Sequence, residues 1–301
     1  MNLTYGAEFE FADIRRDAEL PKGATWNKKD YSIVSSTGIA NDPKGKLYNL
    51  GGEINTDPTV TIDEQVDVLY RIVQERPEAK VNYRSNLHLH IAAPEFTEDL
   101  EIAKKVLKFV DEWQEELYPL IEPIPKPDPD DKGAMKRYRR RKVSHQQRVP
   151  HDRVLRALDA STFDEFYAAH APVSKEGKPL WALTTRAGIN LLQLKETGTI
   201  EFRHFPGTLT GTELLDCFSW VHQFLFCALD DGNPVELFNS QPWTFPQFET
   251  YNHNCEIGYQ YTNFDKNTRK VVSERLEGLS KHLDLETCSA DELVNFIPDS
   301  Y

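Results

Sequence analysis

Two short stretches of the chain carry pairs of ionisable residues at the spacing of a β-strand. Glu8 and Glu10 are two residues apart in YGAEFEF, and His88 and His90 are two apart in NLHLHI. Because side chains alternate across a strand, both members of each pair point to the same face. Apolar residues occupy the alternate positions. The sequence therefore predicts strands that bury one face and carry ionisable groups on the other.

Two further stretches have the same character. GGEIN contains Glu53, and TIEFRHF contains Glu201 and Arg203, again two residues apart. Mg²⁺ and Mn²⁺ prefer oxygen ligands with an occasional imidazole, so several carboxylates and a histidine on one face would suit two such ions. The ions would offset the repulsion between the carboxylates, and ions held in this way clamp nucleotide phosphates during phosphoryl transfer. Arg203 could hold a phosphate or carboxylate through two parallel hydrogen bonds.

Each of these pairs also has a purely structural explanation. Two acids on a strand usually form a solvated face, and two histidines on a strand are often structural. A Glu and an Arg two apart can form an ordinary ion pair worth under about 1 kcal/mol. Their occurrence together, each on a predicted strand of matching polarity, is what favours a functional site.

The composition limits the class of protein. The 301 residues are 39% hydrophobic and 28% charged, which is typical of a globular protein. The formal net charge of -13 argues against nonspecific binding to a nucleic-acid backbone. The chain has no run of eighteen apolar residues and no apolar signal segment at its start, so we expect a cytoplasmic protein without a membrane span. The four cysteines form no CxxC pair, and for Cys217 and Cys227, which lie in an apolar helical stretch, we expect buried free thiols.

Strands and helices follow one another without regular alternation, which favours an α+β fold. Thr61 and Glu64 fit a capping box at the start of one helix, and Thr210 and Glu213 fit a second. A turn at 196–198 is expected to join two strands. We predict a catalytic domain at 1–232, with an inserted loop or lid around 122–160, and an aromatic and helical extension at 233–301 that packs on the same domain.

A basic run, KRYRRRK (136–142), follows a connector rich in proline and aspartate. It is either a solvated face that balances the acidic connector or a mobile flap that closes over a triphosphate or another anionic substrate. In the second interpretation Arg140 contacts the nucleotide. A modified nucleobase or a nucleic acid as substrate would also explain the run.

The order of these motifs resembles that of the carboxylate–amine ligase superfamily, which has the glutamine synthetase-like fold. More narrowly, it resembles the amidoligases, many of them encoded by bacteria and phages. The matching pieces span roughly residues 3 to 210 and are YGAEFEF, WNKKDYS (26–32), GGEINTDP (51–58), NLHLHI (86–91) and the segment 186–208. The resemblance implies a curved, mainly antiparallel sheet of about six strands whose active-site face surrounds ATP and Mg²⁺, with helices packed behind it. Mn²⁺ is a possible substitute for Mg²⁺.

The same resemblance implies a role for each matching residue. The implied metal ligands are Glu8, Glu10, Glu53, His88 and Glu201. The implied catalytic residues are Arg203, Glu53, His90 and Arg186. The residues implied to contact ATP or substrate are Arg203, Arg186, Asn190 and His90, to which the basic run adds Arg140.

The implied reaction is formation of an amide or isopeptide bond through an acyl phosphate. The substrates would be a small-molecule or peptide carboxylate and an amine, and the aromatic C-terminal third leaves room for an oligomer interface. The chain is shorter than glutamine synthetase and lacks its separate N-terminal domain, so ammonia and glutamate are not indicated as the substrates. Two alternatives stay open: a metal-dependent hydrolase that uses the same acids and histidines to activate water, and a non-catalytic binding protein with this fold.

Overall fold

Strands that alternate between apolar and ionisable residues assemble into one antiparallel sheet. The computed structural model describes residues 2–15, 18–27, 50–81, 85–121, 130, 147–174, 178 and 187–246. Arg140, Arg186 and the segment 247–301 lie outside these described residues, so their predicted roles stay predictions.

The sheet has six strands in the described part of the chain, in the order β2-β3-β1-β4-β6-β5, and every neighbouring pair is antiparallel. It is open, with β2 and β5 at its edges. The strands are β1 (Thr4–Arg15), β2 (Ala24–Trp26), β3 (Leu50–Thr56), β4 (Asn86–Ala92), β5 (Ile189–Asn190) and β6 (Ile200–Pro206). The predicted α+β class and the antiparallel sheet of about six strands are confirmed, whereas the likeness to the catalytic domain of glutamine synthetase stays a prediction.

Helices connect and cover these strands. They are α1 (Ile62–Glu75), α2 (Pro94–Glu98), α3 (Leu100–Ile121), α4 (His151–Leu158), α5 (Phe163–His170), α6 (Gln193–Thr197), α7 (Gly211–Leu229) and α8 (Pro234–Asn239). In the part of the chain that the structure describes, none of them combines the length and the apolar character needed to cross a lipid bilayer.

One face of the sheet packs on helices α3 and α7. Tyr5 of β1 meets Phe218 edge-on, with 5.7 Å between ring centroids, and Phe202 of β6 meets Phe224 at 5.9 Å. Phe109 of α3 lies against the same Phe224 at 5.3 Å. Because side chains alternate along a strand, burying this aromatic face directs the ionisable residues of the same strands to the opposite face. The core thus fixes which side of the sheet can bind a ligand.

The local signals for the two helix starts had different outcomes. The capping box of Thr61 and Glu64 is confirmed, since each side chain bonds the other's backbone N–H. The predicted box of Thr210 and Glu213 is wrong, because the Thr210 side chain caps nothing. Thr208 takes its place: its hydroxyl donates to the Glu213 carboxylate and accepts from the Thr210 N–H at 3.0 Å.

Three further segments can be compared with the predicted organisation. The predicted turn at 196–198 is the end of helix α6, which Gly198 terminates in the left-handed region at φ 73°. Residues 234–246 pack on helix α7, where Trp220 contacts the rings of Phe238, Trp243 and Phe245. Of the predicted lid, only residues 130 and 147–160 are described, and the helix α4 within them packs against α5 and α3.

Candidate metal centre

The pairing of strands β1, β4 and β6 brings distant ionisable residues side by side. Glu8 lies directly opposite His88, and His90 lies directly opposite Glu201. The Glu8 carboxylate spans both histidines, with Oε2 2.8 Å from His88 Nδ1 and Oε1 3.3 Å from His90 Nε2. His88 Nδ1 is also 3.6 Å from Glu201 Oε1. The predicted shared face therefore exists, and Glu8 is at its centre.

Glu201 is fixed from three directions although only 1% of it is exposed. The Arg203 guanidinium donates to its Oε1. The side-chain amides of Asn190 and Gln193 donate to its Oε2 at 2.8 and 3.3 Å. A buried carboxylate with this many donors is held in one orientation. Strand β5 and helix α6, which supply the two amides, thus serve to position Glu201.

A β-bulge in β6 follows Arg203 and returns Phe205 to the core face of the sheet. Residues 87–89 of β4 lie opposite the longer segment 202–205 of β6, so one extra residue is inserted there. His204 is buried on the side where alternation places it, that of Phe202: its ring stacks on Tyr118 and its Nδ1 lies 3.2 Å from the carbonyl oxygen of Gly188. Without the bulge, strict alternation would direct Phe205 to the polar face.

Glu10 and Glu53 lie opposite each other across β1 and β3. Glu10 Oε2 accepts two hydrogen bonds from Asn86, one from its backbone N–H at 2.6 Å and one from its side-chain amide. Glu53 Oε1 accepts from the amide of Asn27. Both carboxylates are buried away from water, and the hydrogen bonds that they accept from these asparagines stabilise them there.

Two overlapping sets of three residues could each hold a metal ion. In one set, ligand atoms of Glu8, His90 and Glu201 all lie within 4.8 Å of one another, and in the other the atoms belong to Glu8, Glu53 and His88. Glu8 is common to both sets, and its two oxygens can serve two ions. The donors are mostly carboxylate oxygens, which fits Mg²⁺ or Mn²⁺. Glu10 is in neither set, so its predicted role as a ligand stays a prediction.

Unpartnered polar atoms at this site also fit bound ions. Within the described residues, His88 Nε2 and Arg203 Nε are buried without a hydrogen-bond partner. His88 Nδ1 is already held by Glu8, as the second nitrogen of a metal-binding imidazole usually is. The residues present therefore suit a divalent cation and an adjacent anion.

The charges at the site are coupled. Burial raises the pKa of Glu8, but the contacts with His88 and His90 outweigh it, and the pKa lies well below its usual range. Burial also raises the pKa of Glu201, yet the charge of Arg203 brings it below the usual value. Burial and Arg203 lower the pKa of His88, whereas Glu8 and Glu201 overcome burial at His90 and raise its pKa. Without metal, His90 is therefore the histidine that more readily holds a proton.

We expect metal binding to release a proton from His90. A cation bound between Glu8 and Glu201 competes with that proton, so Mg²⁺ affinity should rise as the pH increases through the raised pKa of His90. Calorimetry in two buffers of different ionisation enthalpy should report release of up to about one proton per chain near neutral pH. His90→Gln should abolish the release, whereas His151→Gln, at a 71% exposed surface histidine, should not. Equal heats in both buffers would contradict this expectation.

The same pKa directions predict how metal-free stability varies with pH. The raised pKa of His90 gives stability that is complete below its unfolded-state pKa and is lost as the pH rises through the folded value. The lowered pKa of Glu8 gives stability that is present above its unfolded-state pKa and is lost as the pH falls through the folded value. Without metal, the cluster therefore contributes less to the stability of the fold at both high and low pH.

Sequence spacing located most of this site and missed part of it. The structure brings together Glu8, Glu53, His88, His90, Glu201, Arg203 and Asn190, with Glu10 beside them through Asn86. Asn86, Asn27 and Gln193 were not anticipated. Asn86 could have been found, because it precedes His88 by two residues and so shares its face. Asn27 and Gln193 lie in loop and helix segments whose approach no strand period predicts.

No model of a known protein family matches this chain, and no curated protein matches it significantly. The resemblance to the amidoligases therefore depends on the motifs themselves.

Proposed function

We propose that this protein is an ATP- and Mg²⁺-dependent ligase that forms an amide or isopeptide bond between a carboxylate and an amine. The observation that carries the proposal is that two sets of metal-ligating residues share Glu8, with Arg203 beside them. A pair of cations and a fixed guanidinium form the kind of site that a transferring phosphoryl group requires.

In this proposal the residues of the site have separate roles. Glu8, Glu53 and His88 would hold one Mg²⁺, while Glu8, His90 and Glu201 would hold the other. The bound ions would neutralise the triphosphate and the charge that develops on its γ-phosphoryl group. Glu201 orients the guanidinium of Arg203, whose buried Nε has no partner among the described residues and can donate to a phosphate oxygen. Asn190 keeps Glu201 in place.

The proposed reaction has two balanced steps. An oxygen of the substrate carboxylate attacks the γ-phosphorus of ATP, the bond to the bridging oxygen breaks, and ADP leaves. The amine nitrogen then attacks the carbonyl carbon of the acyl phosphate, phosphate leaves with its bonding electrons, and the nitrogen loses one proton. Arg203 would act in the first step, because a guanidinium beside the two ligand sets could stabilise the negative charge that increases on the phosphoryl oxygens.

The hydrolase alternative uses the same acids and histidines but needs no nucleotide. The buried guanidinium beside the ligand sets favours phosphoryl transfer, because activation of water by metal ions does not require it. A non-catalytic protein would have no physical need to keep carboxylates and histidines in a buried cluster that costs free energy to assemble.

Trapping the acyl phosphate tests the proposal even though the amine substrate is unidentified, because hydroxylamine takes the place of the amine. The full chain is incubated with ATP, Mg²⁺, hydroxylamine and pools of carboxylic acids, peptides and N-acyl amino acids. We expect hydroxamate and ADP in equal amounts from at least one pool, and neither product when ATP or Mg²⁺ is left out. Glu8→Gln should lower both products by about 100-fold or more, and Glu101→Gln, at an exposed acid, should retain them. Product formation that does not depend on ATP would instead favour the hydrolase.

A further inference from the structure

A cavity of about 180 Å³ meets the metal-ligating site at a single residue, Asn190. The Asn190 side chain lines this cavity, and its amide donates to Glu201 at 2.8 Å. Arg153 of helix α4 and His170 at the end of helix α5 form other parts of the wall. Because a single water needs only about 10–15 Å³ by this measure, there is room here for a small organic group.

His170 lines this cavity, and one of its ring nitrogens has no hydrogen-bond partner among the described residues. Its Nδ1 lies 2.7 Å from the carbonyl oxygen of Phe166, which can only accept, so Nδ1 carries the proton. Nε2 of the neutral ring is then an acceptor, and it is buried without a partner among the described residues. Burial lowers the pKa of His170 to about 4, although the hydrogen bond to the Phe166 carbonyl oxygen favours the protonated ring. The charge of Arg153 lowers the pKa further. An N–H or O–H group of a ligand beside His170 would satisfy this acceptor.

Arg153 lines the same cavity and forms no ion pair with another described residue. Of the neighbouring arginines, Arg148 is paired with Glu115, and Arg156 is paired with Asp152. Among the described residues, no carboxylate lies within ion-pair distance of Arg153, which is only partly exposed. A guanidinium in this position favours an anion, and a carboxylate can accept two hydrogen bonds from it.

The rest of the wall restricts the ligand further. Apolar side chains contribute much of it, including those of Leu107, Val149 and Leu192. The described residues that line the cavity include no aspartate or glutamate, so none of them would supply a counter-charge to a ligand ammonium group. A free amino acid is therefore disfavoured relative to one whose nitrogen is acylated.

We infer that this cavity binds an N-acylated amino acid or the C-terminal residue of a peptide. Its carboxylate would pair with Arg153, its amide N–H would donate to His170, and its apolar side chain would pack against Leu107 and Val149. The identification of this ligand as the distal part of the ligase substrate rests on the proposed function. In that case Asn190 connects the cavity to the site of the reacting groups. The binding itself does not depend on that function.

Calorimetry with N-acetyl-L-leucine on the full chain, without ATP or divalent metal, tests the inference. Three relatives of the probe each remove one feature: N-acetyl-leucinamide lacks the carboxylate, 4-methylpentanoate lacks the N–H, and free leucine carries an ammonium group. We expect each of them to bind at least about 10-fold more weakly than N-acetyl-L-leucine.

Variants on the two polar walls complete the test. Arg153→Met should weaken binding at least about 10-fold, whereas Arg156→Met, one turn away on the same helix but paired with Asp152, should not. His170→Phe should remove the preference for N-acetyl-L-leucine over 4-methylpentanoate. Absence of binding, or binding that Arg153→Met leaves unchanged, would overturn the inference.

The outcome is separable from that of the hydroxamate assay. Binding of N-acetyl-L-leucine without any ATP-dependent product would support this binding site and contradict the ligase proposal. ATP-dependent product without binding would do the reverse.

Discussion

Replacing Glu8 with glutamine is expected to abolish the paired binding of two cations and to lower ATP-dependent product formation by about 100-fold or more. Glutamine has nearly the same size but no charge, and Glu8 is the one residue that both ligand sets contain. The change also removes the carboxylate that contacts His88 and His90. The loss of product formation should therefore exceed the loss caused by substituting a residue that belongs to only one of the two sets.

Mn²⁺ titration followed by electron paramagnetic resonance measures this loss directly. The variant should leave most of the added Mn²⁺ free at concentrations at which the unsubstituted protein binds it. Glu101→Gln provides the matched control, because it removes the same charge from a carboxylate that is 78% exposed. If Glu8→Gln binds two ions as tightly as the parent, Glu8 is not the shared ligand.

Arg203→Met is expected to reduce ATP-dependent product formation by about 10³-fold, the lower end of what an arginine at a transferring phosphoryl group contributes. It should also destabilise the fold by about 3–5 kcal/mol, because Glu201 is then a buried carboxylate without its cation. Its remaining donors, Asn190 and Gln193, are neutral amides and replace that charge only in part.

A double variant separates the two effects of Arg203. Combining Arg203→Met with Glu201→Gln removes the unpaired charge, so most of the lost stability should return in urea unfolding while product formation stays low. A single variant that is unstable but fully active when folded would show that Arg203 serves structure alone.

The polar face of the sheet could be predicted because alternation is a property of each strand by itself. Glu8 and Glu10, like His88 and His90, had to share a face once the apolar residues between them were assigned to the core. The capping box at Thr61 was predictable for the same reason, since all of its parts lie within four residues.

The registers between strands could not be predicted in this way. Nothing local states that Glu8 is opposite His88 rather than His90, because that depends on how the whole sheet packs on helices α3 and α7. The bulge that returns Phe205 to the core face arises in the pairing of β6 with β4, a strand that is distant in the chain. Thr208 displaced Thr210 as the partner of Glu213 through the geometry of a loop that no period describes.

The central claim is that one face of this sheet holds two divalent cations that share Glu8. The most direct measurement is the Mn²⁺ resonance spectrum of the unsubstituted full chain at increasing Mn²⁺, with ATP present. The account predicts two bound ions per chain whose spectrum shows magnetic coupling between them, as expected for ions bridged by a carboxylate. Failure to retain Mn²⁺, or a spectrum of isolated ions at every stoichiometry, would contradict it.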